Sequence, residues 1–223
     1  TSSRVPTRRS WRSTGACVGA ILRNVRDGSM ELFEAKNVIL ATGGNGQAWQ
    51  PTTNALICTG DGISLAYRAG APIMDMEMVQ IHPTSLKGSG VLITEGARGE
   101  GAYLLNKDGE RFMTKYAPSM MELASRDVVS RAEQTEIDEG RGVDGCVFLD
   151  MRHLGEDLIK ERLEEIYEIA RDLVNIDVSK ELLPILPGVH YIMGGVKTDI
   201  DGLTSIPGLY SAGEAACVSV HGA

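Results

Sequence analysis

Three runs of this sequence decide its fold: MEMVQIHPTS (residues 76–85), VLITEGARGEGAYLL (91–105) and MELASRDVVSRA (121–132). In the first run, His82 precedes Pro83. Proline pushes the preceding residue toward an extended backbone, so we expect the imidazole to be offered from the end of a strand. The run therefore predicts a strand that presents a histidine to a ligand.

The second and third runs contain side chains suited to an anion. Glu95 and Arg98 are three residues apart in T-E-G-A-R-G, so their side chains meet if this segment turns helically. Arg126 follows Ser125, a natural N-cap, at the first turn of a predicted helix. Read singly, Arg126 is as consistent with capping an acidic neighbour, and Glu95 with a plain ion pair.

Composition and charge narrow the function classes. The chain has 223 residues, is 43% hydrophobic and 23% charged, and carries a formal net charge of -8. Such a charge argues against a general nucleic-acid surface, so an anionic substrate needs a local basic cluster. The four cysteines form no C-x-x-C pair, which gives no signal for a zinc or iron-sulfur site. No apolar run approaches the roughly 20 residues of a membrane span.

The N-terminal third alternates strand and turn signals. Residues 1–15 carry four arginines and no acid, and we interpret them as a disordered lead or an artificial extension. A hairpin is predicted at Asp27-Gly28, and the VILA run then enters a buried sheet that exits at Gly43-Gly44. That A-T-G-G turn is equally consistent with a ligand approach and a tight strand exit.

Helical patterns occupy three further places. Asp61 precedes a short apolar helical pattern that Gly70 closes. One helix is expected from near Ser125 to Glu139, and another from apolar residues spaced three and four apart between positions 158 and 173. The segment 76–187, with a second hairpin signal at K-D-G-E, therefore has the pattern of an inserted α+β domain.

The joint order of these runs resembles the flavoprotein subunit of succinate dehydrogenases and fumarate reductases. The resemblance extends from about residue 17 to residue 223, through PGVHYIMGGV (187–196) and GLYSAGEAACVSVHGA (208–223). It implies an α/β, Rossmann-like sheet that binds FAD, comprising residues 16–75 and 188–223, with residues 76–187 as an inserted α+β capping domain.

The same resemblance implies a role for each candidate residue. Arg126 would be the proton donor or acceptor, and Glu95 and Arg98 would relay a proton to it. The carboxylates of the substrate would be bound by the side chains of His82, Thr94 and His190. The cofactor FAD would be contacted by Gly43, Gly44, Asp61 and Glu214; no metal is implied.

The implied reaction is the interconversion of succinate and fumarate, with hydride moving to or from flavin N5. The implied partners are an iron-sulfur subunit and a membrane anchor subunit, which would hold a cytoplasmic protein at the inner face of the cell membrane. An L-aspartate oxidase and a non-catalytic dicarboxylate-binding module are the alternatives. Because no G-x-G-x-x-G strand opens the sequence, we expect an internal fragment that is inactive alone and binds FAD poorly.

Overall fold

The computed structural model describes residues 2–4 and 15–218. The chain divides into two compact units. The first comprises Thr1–Ala48, Ala55–Gln80 and Tyr191–Ala223, and the second comprises Trp49–Asn54 and Ile81–His190. His221, to which the sequence assigned no chemistry, lies outside the described residues.

Twelve strands and six α-helices make up the regular structure of the described residues. The strands are β1 (Ser2–Arg4), β2 (Gly19–Arg23), β3 (Met30–Glu34), β4 (Val38–Leu40), β5 (Ile73–Met74), β6 (Val79–Leu86), β7 (Tyr103–Leu105), β8 (Val147–Asp150), β9 (Leu183–Ile192), β10 (Gly195–Lys197), β11 (Leu209–Ser211) and β12 (Ala216–Cys217). The helices are α1 (Asp61–Ala69), α2 (Gly96–Gly99), α3 (Met113–Tyr116), α4 (Arg126–Asp138), α5 (Glu156–Arg162) and α6 (Glu164–Val174).

Three small sheets build the first unit, in the orders β1-β2-β3, β12-β10-β5 and β11-β4. Strands β4 and β11 pair in parallel, as do β10 and β12. The predicted hairpin is confirmed, because β2 and β3 pair antiparallel and the Asp27 carboxylate accepts the Ser29 N–H at 2.9 Å in the turn between them. A core that includes Leu40, Ile63 and Leu209 holds α1 against the parallel pair.

Three expectations for this unit are corrected. The strand after the hairpin does not continue into the VILA run: β3 is exposed along its length, and β4 is a separate strand that pairs with β11. Part of the segment 1–15 is a strand rather than disordered, because β1 pairs with the backbone of β2. The small residues after Gly213 form a single 3-10 turn and then β12, not a helix, because Ala216 and Cys217 pair with β10.

A four-stranded sheet of order β6-β9-β8-β7 organises the second unit. Buried residues of the sheet and helices, among them Leu104, Leu149, Ile166 and Leu183, form one continuous core. The predicted helix from Ser125 is confirmed as α4. The single helix expected between residues 158 and 173 is instead two, α5 and α6, because the backbone leaves the helical conformation at Leu163.

The second hairpin predicted at K-D-G-E is also only partly formed. Strand β7 enters the turn, but the returning chain makes one isolated bridge, between Leu105 and Arg111, before α3 begins. The helix is favoured here because Phe112 and Met113 become buried in the core of the unit. Within the described part of the chain, no helix combines the length and apolar character needed to cross a bilayer.

Glu136, on the buried side of α4, receives hydrogen bonds on both carboxylate oxygens. The Arg141 guanidinium donates to both of its carboxylate oxygens, at 2.6 and 2.7 Å, and Tyr116 and Asn106 donate at 2.7 and 3.0 Å. These hydrogen bonds lower the pKa of Glu136 to about 2, with the bond from Arg141 contributing most. This carboxylate is therefore ionised, and it ties α4 to the segment that follows it.

We expect Ile166→Ala to destabilise the second unit by about 2–5 kcal/mol, because a side chain in the closed core would leave a cavity. Ile166 is 1% exposed, whereas Leu173, on the same helix α6, is 52% exposed. Leu173→Ala is the matched control, with an expected change within about 0.5 kcal/mol. Urea unfolding of the two variants measures the difference, and equal losses would contradict the assigned core face of α6.

Candidate functional site

Glu95 joins two arginines of the second unit. Its Oε2 atom accepts a hydrogen bond from Arg126 Nε at 3.0 Å and lies 3.7 Å from Arg98 Nη2. The predicted helical turn that brings Glu95 and Arg98 together is α2, and Arg126 opens α4. The Arg126 and Glu95 side chains are 36% and 45% exposed, so solvent reaches this end of the group.

Arg98 is the buried member of the group. Its side chain is fully enclosed, and Nη1 donates to the main-chain oxygen of Glu122. The Glu122 carboxylate is itself fixed by Arg111, which donates from Nε at 2.8 Å and from Nη2 at 2.6 Å. Burial lowers the pKa of Arg98, and the nearby Glu95 carboxylate opposes that shift. Arg98 is therefore a buried, fixed positive charge next to the partly exposed Glu95–Arg126 pair.

Two imidazoles lie together beside these arginines. The ring centroids of His82 and His190 are 5.0 Å apart in an edge-on arrangement. Burial lowers the pKa of His82 to about 3, with further contributions from His190 and from the charges of Arg126 and Arg98. Burial and the Arg126 charge also lower the pKa of His190. Both imidazoles are therefore neutral at pH 7.

The position of His82 differs from the expected strand end. It lies inside β6 and is 1% exposed, because β6 continues through Pro83 to Leu86. The Thr84 main-chain N–H donates to His82 Nδ1 at 3.2 Å. This bond requires an unprotonated Nδ1, so the neutral ring carries its proton on Nε2 and can donate from that atom.

Backbone pairing brings β6 close to the Thr-Glu segment. Thr84 Oγ1 donates to the Ile93 carbonyl at 2.6 Å, and the Ile93 N–H donates to the Thr84 carbonyl at 2.8 Å. Thr94 follows directly, is exposed, and accepts the Gly96 N–H on its hydroxyl at 3.3 Å. All six residues predicted for substrate and proton chemistry therefore belong to the second unit.

Sequence reasoning missed two residues that orient the imidazoles. Thr84 fixes the tautomer of His82, and the Thr53 hydroxyl lies 2.8 Å from His190 Nδ1. Thr84 directly follows H-P in the first run, so the sequence alone could have indicated it as a local hydrogen-bond partner of His82. Thr53 is 137 positions from His190, and no local pattern could have linked them.

The residues predicted to contact a cofactor meet around one turn of the first unit. Gly43 has a φ of +73°, and a side chain built on it would meet no atom within 4 Å. A Cβ on Gly44 would lie 2.5 Å from Glu214 Oε1, which accepts the Ile192 N–H at 2.9 Å. The backbone of Gly43 is therefore accessible to a ligand, and the Glu214 side chain is fixed against Gly44.

Asp61 is placed beside the same turn by two further glycines. A Cβ on Gly60 would lie 2.7 Å from the Cβ of Asn45, and one on Gly62 would lie 1.8 Å from Thr42 Oγ1. Asp61 opens α1 and accepts a hydrogen bond from Thr59 at 3.0 Å. The T-G-D-G run therefore needs both glycines to approach the A-T-G-G-N turn, a contact that neither run reveals alone.

This arrangement matches a known family. The model of the FAD binding domain family matches residues 6–223, and the chain belongs to that family. It is similar to the succinate dehydrogenase flavoprotein subunit of Rickettsia bellii, at 53% identity over 222 residues, covering 94% of this chain and 37% of that protein. The fumarate reductase flavoprotein subunit of Mycobacterium tuberculosis is 50% identical, covering 94% of this chain and 38% of that protein.

A solved structure supports the same assignment of fold. A quinol-fumarate reductase with menaquinol molecules superposes with a TM-score of 0.91 at 42% identity, covering 95% of this chain and 39% of that chain. The predicted resemblance, the FAD-binding fold and the cofactor FAD are therefore confirmed. The chain spans somewhat more than a third of the length of these relatives.

We expect the neutral His82 to make the fold less stable in acid. The unfolded imidazole takes up a proton below 6.5, whereas the folded one does so only near 3, so stability falls as the pH drops between those values. The slope contributed by His82 is at most about 1.4 kcal/mol per pH unit. Urea unfolding from about pH 7 to pH 4, compared with His82→Gln, measures it. A folded imidazole that titrates near 6.5 by NMR would overturn the assignment.

Proposed function

We propose that the protein to which this chain belongs is an FAD-dependent oxidoreductase that interconverts succinate and fumarate. The observation that carries the proposal is the grouping of Arg126, Glu95 and Arg98 with two neutral imidazoles in one unit. Two guanidinium groups against one Glu95 carboxylate leave an excess of positive charge, which suits a dicarboxylate.

The turn of the first unit fits FAD. Gly43 leaves its backbone open to a bulky ligand, and the buried Asn45 Oδ1 atom has no hydrogen-bond partner among the described residues. Gly43, Gly44, Asp61 and Glu214 would hold the cofactor there. Bound FAD would supply the hydride acceptor or donor at N5 for the reaction.

The substrate carboxylates would be bound by His82, Thr94 and His190. The His82 Nε2–H is a donor whose ring stays neutral, and the Thr94 hydroxyl is exposed. Donors aimed at a carboxylate stabilise negative charge that develops on the carbon chain when fumarate is reduced. Neutral imidazoles do this without competing with Arg126 for the proton.

Arg126 would exchange the proton with the substrate carbon. Its Nε–H already donates to Glu95, whose exposed carboxylate can receive a proton from solvent and pass it on. Arg98 would complete the relay by holding Glu95 from the buried side. The chain thus provides the proton path and leaves the hydride to the cofactor.

The domain organisation and partners belong to the same proposal. The first unit would be the flavin-binding part, and the second, which largely coincides with the predicted segment 76–187, would be the capping domain. The relatives are named flavoprotein subunits, which supports an assembly with further subunits. The proposed partners are an iron-sulfur subunit and a membrane anchor subunit. Through them the protein would lie in the cytoplasm at the inner face of the cell membrane.

We expect Arg126→Ala to abolish succinate–fumarate turnover in the full natural protein and to leave fumarate binding weakened but measurable. The reason is that the variant loses the proton donor but keeps both imidazoles. Arg131→Ala, five residues along the same helix at an exposed Arg131–Asp127 pair, is the matched control and should retain turnover. A dye-coupled assay and calorimetric titration measure the two effects. Near-normal turnover in Arg126→Ala would remove the proton-donor assignment.

Substrate choice separates the proposal from its alternatives. Turnover of succinate but not aspartate supports the proposed function, and turnover of aspartate identifies an L-aspartate oxidase. Binding of fumarate without turnover of either substrate by the full protein identifies a dicarboxylate-binding module.

We expect Gly44→Ala to reduce the FAD content of the purified full protein. The added Cβ would lie 2.5 Å from Glu214 Oε1, so the glutamate side chain must shift from the position in which it accepts the Ile192 N–H. Gly99→Ala is the control, because its Cβ would meet no atom within 4 Å. Flavin absorbance per protein reports the loss, and an unchanged ratio would contradict the assigned role of the Gly44–Glu214 contact.

A further inference from the structure

A second carboxyl group lies near Arg98, and neither the sequence motifs nor the proposed mechanism uses it. Glu133, on α4, is 0% exposed. Neither of its oxygens has a hydrogen-bond partner among the described residues. A buried carboxylate without donors is among the most costly groups in a protein interior, so its presence requires an explanation.

The charged side chain that acts on Glu133 is Arg98. Arg98 is also fully buried, and its Nε and Nη2 atoms make no hydrogen bond with the described residues, although Nη2 lies 3.7 Å from Glu95. Its other charged neighbours are Arg126 and Glu122. Arg98 therefore interacts electrostatically with two carboxyl groups, the partly exposed Glu95 and the buried Glu133, and two of its nitrogen atoms have no hydrogen-bond partner among the described residues.

We propose that Glu133 is a positioning residue: its protonation state controls how strongly Arg98 holds Glu95 in the proton relay. With the proton on Glu133, that side chain does not compete with Glu95 for the charge of the Arg98 guanidinium. When that proton is lost to solvent base, Arg98 is shared between two carboxylates and its hold on Glu95 loosens. The inference rests on the proposed function, because it assigns Glu133 to the relay of that reaction.

Burial supports this arrangement energetically. It raises the pKa of Glu133 well above 4.5, and the Arg98 charge opposes the shift. The neutral form is favoured because ionisation would place a carboxylate in the interior with no hydrogen bonds. Glu136, three residues along the same helix, shows the opposite outcome where an arginine donates to both oxygens.

The protonation state of Glu133 can be measured without any enzyme assay. We expect the infrared difference spectrum between the full protein and Glu133→Gln to contain the C=O band of a protonated carboxyl at pH values above 4.5, where a free glutamate is ionised, and to lose that band as the pH rises further. Arg98→Met should move that loss to higher pH, since it removes the cation that favours ionisation. Glu136→Gln should remove carboxylate bands only. Absence of the protonated band, or no response to Arg98→Met, would overturn the coupling.

The pH dependence of stability independently checks the direction of the pKa shift of Glu133. A carboxyl whose folded pKa exceeds its unfolded value of 4.5 contributes stability below that value and loses it as the pH rises toward the folded pKa. The Tm of wild type should therefore fall relative to that of Glu133→Gln as the pH rises above 4.5. A difference in Tm that stays constant with pH would contradict a raised pKa.

The role in the relay is tested by the pH dependence of turnover. In wild type we expect kcat to decline as the pH rises, in step with the infrared titration of Glu133, while KM changes little because Glu133 is fully buried. Glu133→Gln should lose that decline, and Glu136→Gln should keep it. Identical pH profiles for wild type and Glu133→Gln would refute the positioning role. Wild type without turnover would refute the proposed function, and the infrared result would still stand.

Discussion

The fixed charge of Arg98 is the interaction on which the candidate site depends. A guanidinium without solvent is unfavourable unless its charge and its N–H groups are matched. Here the Glu122 main-chain oxygen accepts one N–H, and Glu95 supplies the nearest opposing charge. Because Arg98 cannot move to solvent, Glu95 is held on one side, and Arg126 can approach it from the other.

Burial is the main cause of the lowered pKa values of both histidines. Positive charge beside a buried ring adds to the effect, from Arg126 at both histidines and from Arg98 at His82. His82 therefore stays neutral, and the Thr84 N–H selects its tautomer. In the proposed function the arginines would attract and orient an anion, and the neutral imidazoles would offer N–H donors without adding charge.

The sequence was sufficient to predict those parts of the candidate site that depend on residues a few positions apart. The Glu95–Arg98 pair follows from helical geometry, and Ser125 does stand at the N-cap of α4. Its hydroxyl, however, donates to Asp127 at 2.6 Å instead of capping the helix. Competition between a local carboxylate and the helix N–H groups decided this detail, and spacing alone does not rank the two.

The sequence was insufficient where distant segments meet. The contact between Gly62 and Thr42, and the one between Thr53 and His190, join residues that share no local pattern. The division of the VILA segment also depends on a distant partner, since β4 pairs with β11 about 170 positions later. Periodicity identifies an apolar strand, but which strand it pairs with is decided by tertiary packing.

Glu133 extends this reasoning to a residue that breaks the pattern of its own helix. A buried face normally excludes an acid, so an acid that remains there must be neutral or matched by a cation. On α4 the two cases occur three residues apart: Arg141 matches Glu136, whereas no donor among the described residues matches Glu133. The acid without a donor is the one on which the Arg98 charge acts, and in our proposal this interaction links the interior of α4 to the partly exposed Glu95–Arg126 pair.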